Sequence, residues 1–157
     1  MTIEEQNDLA KRTIYLADTV VSPDKIAAYR TTLYQVGTGR DAFTLRIDVK
    51  SDALLRLYGE TGQACGLFIT ACNPFGQTQR VEANEAAYSQ LGDCLRGLVR
   101  RVIEGVGADP SGAWPHEMSF FALGIGIDTA RELGSRFHQD AVVWAGADAI
   151  PKLLLLR

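Results

Sequence analysis

The sequence predicts a single α/β or α+β domain in which a mixed β-sheet of five to six strands carries three to four helices. Three observations predict it. A chain of 157 residues that is 46% hydrophobic and 22% charged has the size and composition of one globular domain with its own core. Apolar runs of strand length, at 65–71 and 118–125, stand among segments with helical spacing. Strands and helices mostly alternate through the second half, the order expected of a sheet that carries helices. Residues 1–157 are read as one domain, with 1–25 a candidate N-terminal helical extension.

The extension rests on Thr2-Ile3-Glu4-Glu5, a capping box that opens a helix running to about Val20. Ser22-Pro23-Asp24 supplies a second N-cap with proline at the first helical position, for a single turn. Tyr29 to Val36 is β-branched and aromatic with near alternation and reads as a strand. Phe43 to Val49 alternates strictly, so the two segments make a hairpin across Gly37-Thr38-Gly39-Arg40-Asp41. Ser51 and Asp52 cap a short helix through Leu54, Leu55 and Tyr58, ended by Gly59 and Gly62. Cys65 to Ala71 is apolar throughout, as in a central strand covered on both faces.

An Asn73-Pro74 turn follows, then the longest helical pattern, Glu82 to about Glu104. Tyr88, Leu91, Leu95, Leu98 and Val102 form its buried stripe, joined by Cys94. Gly105 to Gly112 reads as the loop that ends it. Met118 to Ile125 is a strand, Gly124-Ile125-Gly126 a tight turn, and Thr129-Ala130-Arg131-Glu132 a capping box for a helix that buries Ala130, Leu133 and Phe137. Ala141–Trp144 and Lys152–Leu156 are the last strands.

The charge balance excludes some classes of function. Sixteen basic and 19 acidic residues leave a net charge of −3, and the densest basic spot, Arg96, Arg100 and Arg101, fits a solvated helix face; no nucleic-acid partner is expected. No apolar run approaches membrane-spanning length, so no membrane partner is expected. The polar, acidic start is unlike a signal peptide, and three cysteines without a Cys-x-x-Cys pair point to a reducing cytoplasm. Phosphate-loop, dinucleotide and nucleophile-elbow signatures are missing, and two histidines without helical spacing do not suggest a metal site. Neither cofactor nor metal is expected.

Three clusters carry the remaining signal: Thr70-Ala71-Cys72-Asn73-Pro74 with Glu82 and Asn84, then Trp114 to Ser119, then Phe137 to Ala141. Together they resemble a bacterial family of domains of unknown function, number 3293, over about Ala28 to Leu156. Matching positions are Thr70, Ala71, Asn73, Pro74, Glu82, Asn84, Trp114, Glu117, Ser119, Phe137 and Gln139. Cys72 replaces the family's usual aromatic, His138 its usual glycine, and Ala83 separates Glu82 from Asn84 where the family pairs them. The resemblance therefore implies that neither Cys72 nor His138 is a shared nucleophile or metal ligand.

Physical chemistry adds expectations at these positions. Asn73 precedes proline, which biases its backbone to an extended conformation with its carboxamide at a strand end. Glu117 enters an apolar strand, where burial would raise its pKa and suit it to general acid or base work. It is the catalytic candidate, in a chain that carries no other sign of a reaction. Asn73, Asn84, Trp114, Glu117, Ser119 and Gln139 are the expected ligand-binding residues, for a small polar metabolite or nucleotide held at strand ends. The alternative is a non-enzymatic protein-interaction module in which these residues only staple loops.

Overall fold

Helix α1 (Pro23–Thr31) begins at the expected cap: Ser22 Oγ accepts the Lys25 N–H at 3.2 Å, and Pro23 opens the first turn. It runs nine residues rather than one turn and takes up Tyr29 to Thr31, which alternation assigns to a strand. Strand β1 is thereby shortened to Leu33–Val36. Its hairpin partner β2 is Phe43–Leu45, with Tyr34 opposite Leu45 and Val36 opposite Phe43. Asp48 leaves β2's path with φ 62°, so the strand stops before Val49 although Ile47 is still buried.

The computed structural model describes residues 19–113 and 115–157, so the capping box at Thr2 and most of the expected 1–25 extension lie outside the described residues. Helix α2 (Asp52–Thr61) is capped by Ser51 Oγ and closed by Gly62 at φ 71°; Gly59 lies within it. Strand β3 (Gly66–Thr70) is followed by α3 (Val81–Leu98) and then by β4 (Val102–Ala108). The last elements are β5 (Glu117–Leu123), α4 (Ile127–Arg136), β6 (Ala141–Ala145) and β7 (Lys152–Leu155). The Thr129 capping box is not used, because α4 starts two residues earlier behind Gly126.

The largest correction concerns β4. Glycine spacing marks 105–112 as a loop, yet Gly105 and Gly107 are strand residues. A Cβ on Gly105 would stand 2.6 Å from the Gln35 carbonyl oxygen and 2.9 Å from the Phe68 ring. Glycine is there because backbone and ring approach closely, not to break the chain. With Val102 and Glu104 in the strand, α3 ends at Leu98, which is 53% exposed rather than part of a buried stripe.

The sheet accordingly has seven strands among the described residues, in the order β2-β1-β4-β5-β3-β6-β7, and every pairing is antiparallel rather than mixed. The alternation of strand and helix nevertheless has a structural counterpart. The segments β3-α3-β4 and β5-α4-β6 each join parallel strands, but each pair is split by a strand of the other, giving the β-α-β-β-α-β arrangement of ferredoxin-like folds. The architecture is α+β with four helices among the described residues. None of these is long and apolar enough to cross a membrane.

Two cores lie on the sheet's two faces. Leu91 and Leu95 of α3 and Ala130 and Leu133 of α4 cover Leu67, Ile69, Phe120 and Ala122 on one face. On the other face, Leu54, Leu57 and Tyr58 of α2 pack on Tyr34, Val36, Leu45, Phe68, Phe121, Leu153 and Leu155. Residues from both edge strands share this second core because the sheet curls. Hydrogen bonds from Asp48 N to Pro151 O at 2.8 Å and Ser51 N to Ala149 O at 2.9 Å tie the edges together, which leaves less unpaired edge open to another chain.

Candidate functional site

The site lies where β3 and β4 end and β5 and β6 begin. β3 delivers Thr70, whose hydroxyl donates to the Met118 carbonyl at 2.8 Å and accepts the Cys72 N–H at 3.0 Å. Ala71 and Cys72 are buried, and the chain then turns through a short 3-10 segment, Pro74–Gly76. Burial raises the Cys72 thiol pKa, consistent with a packing role rather than a nucleophile.

Asn73 departs from the extended conformation expected before proline: its φ is 47° and its ψ 65°. Asparagine tolerates this left-handed region better than most residues, and partners distant in sequence hold it there. Its N–H donates to Asn84 Oδ1 at 3.0 Å, while its own Oδ1 accepts from Asn84 Nδ2 and from the Gln79 N–H, both at 3.0 Å. Its remaining amide donor, Nδ2, reaches Glu117 Oε1 at 3.3 Å. Asn73, Asn84 and Glu117 therefore form one hydrogen-bonded unit linking the turn, α3 and β5.

Glu117 is half-buried. Burial drives its carboxyl above the ordinary range, and the Asn73 hydrogen bond lowers it only in part. Among the described residues Oε2 has no hydrogen-bond partner. Ser119 is 1% exposed, and its hydroxyl donates to the Glu117 backbone carbonyl at 3.1 Å rather than to the carboxylate. Gln139 is also buried; its Nε2 donates to the carbonyls of Cys72 at 3.3 Å and Phe137 at 3.2 Å, bridging two of the motif loops. Trp114 lies outside the described residues.

Four neighbours are missed by sequence reasoning. Asp140, with its side chain 1% exposed, accepts from Arg157 Nε at 2.6 Å, Lys25 Nζ at 3.1 Å and the Tyr29 hydroxyl at 3.4 Å. Burial pushes its carboxyl up, but the hydrogen bonds and charges of Arg157 and Lys25 outweigh this and hold it below the usual range. Burial, with the Asp140 and Glu117 charges, raises the Tyr29 hydroxyl well above its ordinary value, so it stays a neutral donor. A signal for Asp140 was available, since it is the one carboxylate that leads directly into the aliphatic β6. Reading Tyr29 as a strand residue hid the partners on α1.

Backbone strain gathers at this end of the sheet. Asn73, Phe75 and His138 have φ of 47°, 53° and 57°, and the Phe75 N–H donates to the His138 carbonyl at 2.7 Å. The rings of Phe75 and His138 lie 5.4 Å apart, and the Arg157 guanidinium sits 4.0 Å over Phe75. Such conformations cost about 1–3 kcal/mol each and concentrate at functional sites. The positive φ at 138 suits glycine, usual there in the resembled family, whereas His138 must be held in it by its neighbours.

Residues 69–142 match the model of a family described as "Protein of unknown function (DUF3293)". This bears out the resemblance over a shorter stretch than Ala28 to Leu156. The matched stretch runs from Ile69 near the end of β3 to Val142 near the start of β6, so it takes in all three motif clusters and, apart from most of β3 and β6, both split units. No curated protein and no solved structure matches the chain.

Proposed function

We propose that this chain binds a small polar metabolite whose hydrogen-bond donor engages Glu117. One observation carries the reading: a half-buried carboxyl with Oε1 held by Asn73 and Oε2 without a partner among the described residues, at the strand ends where the motif loops meet. Oε2 is open to solvent, and a ligand amine, amide or nucleobase amino group could donate to it. Asn73 and Asn84 position the carboxyl, Ser119 and Gln139 brace the backbone around it, and Trp114 is proposed to stack on the ligand. Use of the raised Glu117 carboxyl as a general acid or base is a narrower version of the same reading.

The test is a thermal-shift screen of the wild type and Glu117→Gln against nucleotides, nucleobases, sugars and amines. Stabilisation of the wild type that the variant loses supports the proposal; a screen in which no hit is lost in the variant sinks it.

A second reading, a protein-interaction module, has its own support. Both polar atoms of the Asn84 carboxamide are engaged with Asn73, and the Gln139 amide nitrogen is engaged with two carbonyls, as in residues that only close loops. Under it, no small-molecule stabilisation depends on Glu117, and alanine at Asn73 or Gln139 lowers the melting temperature alone.

A further inference from the structure

A second concavity lies at the opposite end of β4 from the pairing of Gly107 with Glu117. It is a cleft of about 750 Å³ between the β1–β2 turn, one face of α2 and the start of β4. This volume is in the range of small-molecule sites. Val36, Phe43, Ala53, Leu57 and Ile103 contribute its apolar lining, and Arg40, Arg56 and Arg101 are its cations.

The three arginines come from three different elements, and none makes a side-chain hydrogen bond or ion pair among the described residues. Two carboxylates, Asp41 and Glu60, also line the cleft, both beyond ion-pair distance of the arginines. Glu104 lines it as well, but its carboxylate accepts the Tyr88 hydroxyl at 3.0 Å, and Tyr88 stacks on Phe120 in the core of the other face. The formal charges of the lining balance, but the Glu104 carboxylate is turned toward Tyr88 on the other face, so three guanidinium groups and two carboxylates are left on the cleft side. A low-dielectric floor strengthens the field of such a rim, and guanidinium groups match planar and tetrahedral oxyanions with paired hydrogen bonds. The sequence pattern that places Arg100 and Arg101 on a solvated helix face misses this, because α3 has already ended at Leu98.

We infer that this cleft binds a small organic anion, with its phosphate or carboxylate held by Arg40, Arg56 and Arg101 and its apolar body on Phe43, Leu57 and Ile103. The site is independent of the one at Glu117.

The experiment is titration calorimetry of the wild type and the Arg56→Gln/Arg101→Gln double variant with inorganic phosphate, adenosine 5′-monophosphate and benzoate, at low and at 0.5 M salt. Because both arginines are exposed and unpaired, the variant is expected to keep the wild-type melting temperature, which confirms that it folds. Saturable wild-type binding, weakened at least about tenfold in the variant and by salt but unchanged in Glu117→Gln, is the expected result. Binding of the phosphates alone assigns a phosphate ligand, and binding of benzoate alone a carboxylate. The inference is overturned if none of the three binds, or if the variant binds as the wild type does.

Discussion

Replacing Asn73 with alanine tests the centre of the site. The side chain makes three hydrogen bonds: to Glu117 Oε1 at 3.3 Å, from the Gln79 N–H at 3.0 Å and from Asn84 Nδ2 at 3.0 Å. Each contributes about 1 kcal/mol net, less where water can replace the partner, as at the exposed Gln79. Alanine at φ 47° adds a left-handed backbone penalty of about 1 kcal/mol. The expected loss is about 3 kcal/mol, or roughly 6–12 °C in melting temperature for a chain of this size. Asn73→Gly should recover about 1 kcal/mol of it, because glycine removes the backbone penalty but not the lost bonds. Urea unfolding of the three proteins measures both quantities. NMR titration of Glu117 adds a third readout, since removing the bond that lowers its pKa should raise that pKa further. A loss below about 1 kcal/mol, or equal stabilities of the alanine and glycine variants, would refute the reasoning.

Two more predictions follow from the neighbouring residues. His138→Gly should be more stable than His138→Ala by about 1 kcal/mol in chemical denaturation, because φ 57° suits glycine and both variants lose the ring contact with Phe75; equal stabilities would show that the backbone there is unstrained. Asp140→Asn should lose about 2–3 kcal/mol at pH 7, a figure reduced because Lys25 and Arg157 are partly solvated. The Asp140 pKa is lowered on folding, so its stabilisation is present above the unfolded value of about 3.9 and disappears as pH falls through the folded value. Urea unfolding at pH 7, 5 and 3 should therefore show the difference between wild type and variant shrinking below about pH 4, and a constant difference would contradict the assignment.

Much of the molecule was legible because it is written locally. Period-2 alternation and turn glycines marked the β1–β2 hairpin, and the unbroken apolar run at 65–71 marked β3 as central, which it is, between β5 and β6. Caps at Ser22 and Ser51 are contacts within a few residues, and both formed as read. The motif loops were located by residue type, and the hydrogen bonds of Asn73, Asn84 and Glu117 bring them together. What could not be read depends on neighbours far along the chain. Gly105 resembles a loop residue until Phe68 and Gln35 pack against it, and a helical alternation implies parallel neighbours until β5 and β3 insert between them. Asn73 looks extended until Asn84, 11 residues on, and Glu117, 44 residues on, hold it left-handed. The sequence alone determined which segments bury an apolar face and where the chain turns, because both are set by side chains close in sequence. The tertiary structure decided strand order, the conformation of Asn73, the exposure of Glu117 Oε2 and the gathering of Arg40, Arg56 and Arg101, because long-range packing and hydrogen bonds outweigh local preferences of about 1 kcal/mol.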